Sequence, residues 1–259
     1  MGYVALGRNT DMNNIFIKGK VDPEGIHASP QALQETIRLQ AIFDQRIDKL
    51  AAQNKEFWKI SYLNVRNGIT CHYKDIKIDN FLMSSDIFAL GETCLEPTET
   101  VSFSGYQEYI ASHGRGKGVA VFSKMECASR PVVNSVSSHI FSAIHFRTVK
   151  FDAIFVYWSS GCRKEEETEI LSLLDTWIVK ERPTTIIGDV NMNFSQDCKL
   201  NTFLERKGFQ QLIKKATCET GSLIDHVYAN EGLRTLDIST EQCSAYYSDH
   251  DIITILIPK

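Results

Sequence analysis

The sequence has little that announces a compartment or an anchor. Its seven cysteines, at positions 71, 94, 127, 162, 198, 218 and 243, include no C-x-x-C pair. An odd, scattered set of this kind suits reduced thiols better than a disulfide scaffold or a zinc site. No apolar run approaches the roughly 18 residues that span a bilayer, and the first residues lack a secretory apolar core. The expectation is an intracellular, soluble protein with no membrane partner. Positive charge is also scarce: 28 Lys and Arg stand against 32 Asp and Glu, for a net charge of -4. Any nucleic-acid contact must therefore come from a local basic patch. No G-x-x-x-x-G-K-[ST] loop is present, which excludes a P-loop ATPase.

What is present is an ordinary globular composition, 259 residues with 43% hydrophobic and 23% charged, enough for one large domain plus a small appendage. Residues 2–6 and 14–18 pattern as two short strands. Ser29-Pro30 then supplies an N-cap and first-turn proline for a helix carrying Leu33, Ile37, Phe43, Ile47 and Leu50. From Phe57 the pattern is regular. Strands are expected near 57–65, 86–90, 116–122, 139–148, 151–158, 184–189, 209–213, 222–229 and 251–257. Helices are expected over Ile69 to Met83, behind the acidic turn Glu165-Glu166-Glu167, and around Leu200 to Lys207, closed by Gly208. No repeat, low-complexity tract or Gly/Ser linker interrupts residues 57–259, so the boundaries read as 1–50 and 51–259.

Chemistry-bearing residues recur at one kind of place, the end of an apolar strand or the turn after it. The clearest is Thr184-Thr185-Ile186-Ile187-Gly188-Asp189-Val190-Asn191, a buried strand running into a carboxylate and a carboxamide. Two residues apart, Asp189 and Asn191 project to one side if strand geometry persists. Gly-Asp-x-Asn alone is as much a turn as a site. A second terminus changes the balance: Ser248-Asp249-His250 enters the apolar run Ile252 to Ile257, and a carboxylate beside an imidazole can orient it. Asn64, Glu92, Tyr157 and the pair Asp225-His226 occupy equivalent positions. His226 alternates to the opposite face of its strand and is expected to be structural.

Two resemblances follow from these residues. Tyr3-Val4-Ala5-Leu6-Gly7-Arg8, with Asn14-Ile15-Phe16-Ile17 downstream, resembles the final motif of Pif-type DNA helicases. Because the phosphate-binding loop is missing, the resemblance implies a helicase remnant without ATP hydrolysis. The stretches Leu63-Asn64-Val65-Arg66, Gly91-Glu92-Thr93, Gly118-Val119-Ala120-Val121, Val156-Tyr157, Gly188-Asp189-Val190-Asn191, Leu223-Ile224-Asp225-His226-Val227-Tyr228 and Ser248-Asp249-His250 resemble the endonuclease/exonuclease/phosphatase superfamily. The wording of residues 222–230 is most similar to endonucleases of non-LTR retrotransposons and helicase-linked mobile elements.

The second resemblance implies an α+β fold of two packed mixed β-sheets flanked by helices, the DNase I-like four-layer α/β sandwich. It implies a metal-dependent hydrolase in which Glu92 and Asn64 hold Mg2+ or Mn2+. Asp189 would align or deprotonate the attacking water, Asn191 and Tyr157 would donate to the phosphate, and His250 would sit on it. Asp249 would fix the His250 tautomer or share the metal shell, with Asp225 and Ser248 supporting. Arg66, Arg115, Lys117, Arg163 and Lys164, in loops after strand ends, are candidates to track a nucleic-acid backbone. Two departures from the family pattern stand out: Gly91 where glutamine often precedes the metal-binding glutamate, and Trp158-Ser159-Ser160 where an asparagine often follows the tyrosine. The expected function is a DNA endonuclease of mobile-element origin, monomeric and acting in the nucleus. The alternatives are a small-molecule or RNA phosphoesterase of the same fold, or a non-catalytic domesticated fragment that binds nucleic acid.

Overall fold

The computed structural model describes residues 56–96, 98–114, 117–124, 132–159, 164–194 and 199–259, together with Gln34. All but Gln34 fall in one compact unit, Ile47–Lys259. The expectations for residues 1–50, the helicase-like motif included, lie outside the described residues.

In chain order the elements are β1 (Phe57–Asn64), α1 (Ile69–Ile78), α2 (Asn80–Met83), β2 (Ile87–Gly91), β3 (Tyr106–Ala111), β4 (Val119–Lys124), β5 (Val132–Ser137), β6 (Phe141–Arg147), β7 (Asp152–Trp158), α3 (Lys164–Trp177), β8 (Thr184–Asp189), α4 (Lys199–Arg206), β9 (Gln210–Gln211), β10 (Asp225–Ala229), α5 (Glu231–Arg234), β11 (Ser239–Ser244) and β12 (Asp251–Pro258). The helix expected over Ile69 to Met83 is two. Asp79 leaves the helical region, and its side chain accepts from the backbone N–H groups of Phe81 and Leu82, capping a new turn.

The strands form two six-stranded sheets, ordered β11-β12-β1-β2-β4-β3 and β5-β6-β7-β8-β10-β9. Each has one parallel pair at its centre, β1 with β2 and β7 with β8, flanked by antiparallel neighbours. These central strands are apolar along nearly their whole length, because each is covered on both faces. Ile60, Tyr62, Ile87, Ala89, Phe155, Ile187, Val227 and Ile255 fill the layer between the sheets. Leu63, Phe88, Leu90 and Phe122 pack outward beneath α1 and α2. Ile154, Val156, Trp158 and Ile186 pack outward beneath α3 and α4, against Ile170, Leu174, Leu200 and Leu204. The result is the helix, sheet, sheet, helix layering expected from the sequence. Among the described residues no helix is long and apolar enough to cross a membrane.

The topology decides where chemistry can be placed. A parallel pair ends its two strands at one rim of the sheet, and an antiparallel neighbour begins there. Asn64 is therefore in register with Gly91, and Asp189 is in register with both Tyr157 and Asp225. Across the core β1 faces β8 and β10 faces β12, so the rims of the two sheets meet.

Candidate active site

At the shared rim the side chains form one connected network. Asp189 is fully buried, and its carboxylate accepts from Asn64 Nδ2 at 2.8 Å and from the Asn191 backbone N–H at 2.7 Å. Asn64 Oδ1 accepts from the Arg66 backbone N–H at 2.9 Å, which fixes the orientation of its amide. Ser248 Oγ donates to the Asn64 carbonyl at 2.7 Å and accepts from the His250 N–H at 3.1 Å, tying the end of β1 to the start of β12. His250 Nδ1 lies 2.8 Å from Asp225 Oδ2. Asp225, not Asp249, is thus the carboxylate that orients the imidazole. Asp249 instead pairs through Oδ2 with Arg66, and its buried Oδ1 has no hydrogen-bond partner among the described residues.

The electrostatics follow from burial. Desolvation, followed by the nearby negative charge of Asp225, pushes the Asp189 carboxyl well above the ordinary carboxylate range, against the pull of His250 and of the Asn191 and Asn64 donors. Burial alone would lower the His250 pKa, but the hydrogen bond and charge of Asp225, with Asp189 beyond it, overcome that and raise it to about 9. The half-buried Glu92 is raised by desolvation, countered by Asn64, His250 and Arg66 and reinforced by Asp249. Tyr157, 6% exposed, is held protonated, first by burial and then by the negative charges of Glu92 and Asp189.

These carboxylates fit a divalent cation. The charge of Asp249 raises the pKa of Glu92, the buried Asp249 oxygen lacks a donor among the described residues, and the Asn64 side-chain carbonyl has a second lone pair. All are hard oxygen donors of the kind that Mg2+ and Mn2+ take. Backbone conformation concentrates here as well. Of the six described non-glycine residues with positive φ, five, Arg66, Asn67, Glu92, Cys94 and Asn191, lie in the turns that follow β1, β2 and β8; the sixth, Asp237, lies before β11. Strained backbone of this type persists only where its surroundings enforce it, and it clusters at functional sites.

Several expected roles change in the folded protein. The strand stops at Asp189, and Asn191, at φ 50°, turns inward. Its Nδ2 donates to the Trp158 carbonyl at 2.8 Å and to Asp189 at 3.3 Å, so it holds the ends of β7 and β8 together instead of presenting an amide to a phosphate. Trp158 is 2% exposed and packs edge-on against Phe141, which leaves it no face for a base. Lys117 donates to the His139 carbonyl and Arg66 is paired with Asp249, while Arg115 and Arg163 lie outside the described residues. Lys164 opens α3. His226 faces away from the site, bonded to the Tyr228 hydroxyl and the Leu223 carbonyl.

One residue escaped the sequence reading. Tyr62, fully buried on β1, brings its hydroxyl so close to Gly91 that a Cβ there would lie 1.9 Å from it. The departure at position 91 is thus one half of a steric exchange with Tyr62. Among the described residues that hydroxyl has no partner at hydrogen-bonding geometry, and the Asp189 backbone N–H only opposes the rise of its pKa. Burial, then the charges of Asp189 and Asp225, raises its pKa well above the usual tyrosine value. Removing an unpartnered buried hydroxyl is close to neutral or stabilising. Tyr62→Phe is therefore expected to hold or raise the unfolding temperature, whereas Tyr62→Ala, which opens a cavity, should cost about 3 to 5 kcal/mol in denaturant unfolding.

No family model matches the chain, and no curated protein matches it. Solved structures do. The endonuclease domain of TRAS1, a telomere-specific non-LTR retrotransposon, superposes with a TM-score of 0.59 at 16% identity, covering 78% of this chain and 98% of that one. The 3'-5' exonuclease NExo of Neisseria meningitidis gives 0.60 at 17%, covering 77% and 99%. An AP endonuclease from Archaeoglobus fulgidus gives 0.59 at 17%, covering 77% and 98%. At such identities the likeness establishes the fold, and the fold is the DNase I-like α/β sandwich.

Proposed function

We propose that this chain is a divalent-metal-dependent phosphodiester hydrolase, a DNA endonuclease of mobile-element origin. The observation that carries the reading is the network at the rim: a buried carboxylate with raised proton affinity, a carboxylate-oriented histidine and a hard-oxygen donor set, joined through Asn64. The structural neighbours, an endonuclease domain of a retrotransposon, an exonuclease and an AP endonuclease, favour nucleic acid as the substrate class.

In this reading Asp189 accepts the proton of the attacking water, held in place by Asn64 and Asn191. His250, positive at neutral pH because of Asp225, presents Nε2 to a phosphate oxygen. Tyr157 stays protonated and donates its hydroxyl on the same side. A divalent cation held by Glu92, Asn64 and Asp249 would supply charge neutralisation at phosphorus and at the leaving oxygen.

The test is conversion of supercoiled plasmid to open circles by purified protein with Mg2+ or Mn2+, and its arrest by EDTA. Glu92→Gln keeps the shape and removes the charge. It is expected to cut the rate by about 100-fold or more at low metal and to recover partly as metal is raised. A folded wild-type protein that nicks with neither metal overturns the reading, and nicking that persists in EDTA overturns its metal dependence.

A further inference from the structure

The cleft carries a second donor set, which joins Cys218, a residue the reaction described above does not use, to Asp249 and His250, which it does. Segment 217–219 runs antiparallel to 249–251. Glu219 N–H donates to the Asp249 carbonyl at 2.9 Å, Asp251 N–H donates to the Thr217 carbonyl at 2.8 Å, and Cys218 bridges His250. This backbone ladder brings one ligand atom each from Cys218, Asp249 and His250 to within 4.8 Å of one another. The Cys218 thiol is free and partly exposed.

We propose that Cys218, Asp249 and His250 form a binding site for Zn2+, and that zinc bound there shuts the enzyme off. The ligand types select the ion. Of the two ligand clusters among the described residues, the other, Asp189 with Asp225 and His250, contains no sulfur. A thiolate, an imidazole and a carboxylate suit zinc, and do not suit Mg2+. Each donor is prepared. Asp249 Oδ1 is buried and has no hydrogen-bond partner among the described residues. Asp225 holds His250 Nδ1 and so leaves Nε2 to the metal, the carboxylate–histidine–metal arrangement that orients zinc ligands elsewhere. A tetrahedral ion with Zn–S of about 2.3 Å and Zn–N of about 2.0 Å draws its ligand atoms to roughly 3.5 Å apart, closer than the 4.8 Å within which one atom of each residue already lies. Binding releases the thiol proton and the imidazolium proton and involves no redox change. It takes from the reaction the His250 proton and one Asp249 oxygen. The separation of 32 residues between Cys218 and His250 explains why no metal-binding spacing shows in the sequence.

The binding half of the proposal stands without the nuclease reading, and only the inhibitory half rests on it. Co2+ replaces Zn2+ as a visible probe. Titration of the full chain with Co2+ is expected to produce a thiolate-to-cobalt charge-transfer band that Zn2+ abolishes and that Cys218→Ser lacks. Loss of an outer-sphere partner alone costs about 10- to 100-fold in metal affinity, so Cys218→Ser and Asp249→Asn should each weaken binding at least that far. In the Mg2+-supported nicking assay, Cys218→Ser should keep its rate and require at least tenfold more Zn2+ for inhibition. No band in the wild type, or a band that survives in Cys218→Ser, overturns the site. A band that behaves as expected, with equal zinc sensitivity in both proteins, overturns the inhibition alone. If nothing nicks, the spectra still decide whether zinc binds.

Discussion

Asp189→Asn is expected to abolish nicking and, at the same time, to flatten the fall of stability with pH. The activity loss should reach about 1,000-fold or more, the scale of removing a positioned general base. The stability effect has the opposite origin. Burial and Asp225 raise the Asp189 pKa in the folded chain, so between the ordinary carboxylate range and that raised value the native state holds more protons than the unfolded one. Stability then declines as pH rises through this window. His250 adds to the slope in the same direction: its pKa lies near 9 in the fold, so its contribution is complete below the unfolded value of about 6.5 and is lost as pH climbs past 9. Asparagine cannot ionise, so the Asp189 part of the slope disappears. Thermal unfolding of both proteins in EDTA, from mildly acidic to mildly alkaline pH, should show the variant gaining on the wild type as pH rises. The chelator matters because a bound cation would itself favour the carboxylate. Parallel pH profiles would show that Asp189 ionises like an exposed carboxylate, and the base assignment would lose its electrostatic support.

The sequence made the central strands legible because each is covered on both faces. β1, β2, β4, β6, β7, β8 and β12 are near-continuous apolar runs, and their ends fall within about three residues of the expected ones. The elements that escaped are β3, β5 and β11, together with the short α5. All three strands are sheet edges and are only partly buried; β11, Ser-Thr-Glu-Gln-Cys-Ser, is mostly polar, and β3 and β5 mix apolar with polar residues. An edge strand owes its place to backbone pairing with one neighbour, and pairing leaves no hydrophobic signature.

The site divides along a similar line. Asn64, Glu92, Tyr157, Asp189, Asp225 and His250 were legible because each adjoins an apolar run, and the topology brings those ends to one rim. What the sequence could not supply was partnership across the rim. Asp249, adjacent to His250 in the chain, invites the orienting role, yet its carboxylate pairs with Arg66. Asp225, 25 residues away, is the residue that meets Nδ1. Asn191 misled for a related reason, since its positive φ ends the alternation on which a common face with Asp189 depended.

Gly188 is the position where the fold and the site constrain each other most tightly, and Gly188→Ala is expected to damage both. Gly188 pairs with Val156 across the parallel strands β7 and β8. A Cβ there would stand 1.9 Å from the Val156 carbonyl oxygen and 2.8 Å from its carbon, both backbone atoms that no rotamer change can move. Relief requires β7 and β8 to part, just before the register pair Tyr157 and Asp189. Overpacking costs about 1 to 3 kcal/mol, and an unfavourable backbone conformation, here φ +154°, adds a comparable amount. A total of about 3 to 5 kcal/mol corresponds to a fall of roughly 10 °C in Tm for a domain of this size. Two control variants separate the causes. Gly208→Ala has φ +79° and open space, so it bears the conformational cost alone, about 1 kcal/mol. Gly232→Ala, whose Cβ would meet nothing nearer than 3.6 Å, should be close to neutral. If Gly188→Ala loses no more stability than Gly208→Ala, β7 and β8 are not as close as 1.9 Å requires. If it is destabilised yet nicks at the wild-type rate below its Tm, the spacing of Tyr157 and Asp189 does not limit turnover. Loss of both is the expected result, because Asp189, the proposed proton acceptor, follows Gly188 directly at the end of β8.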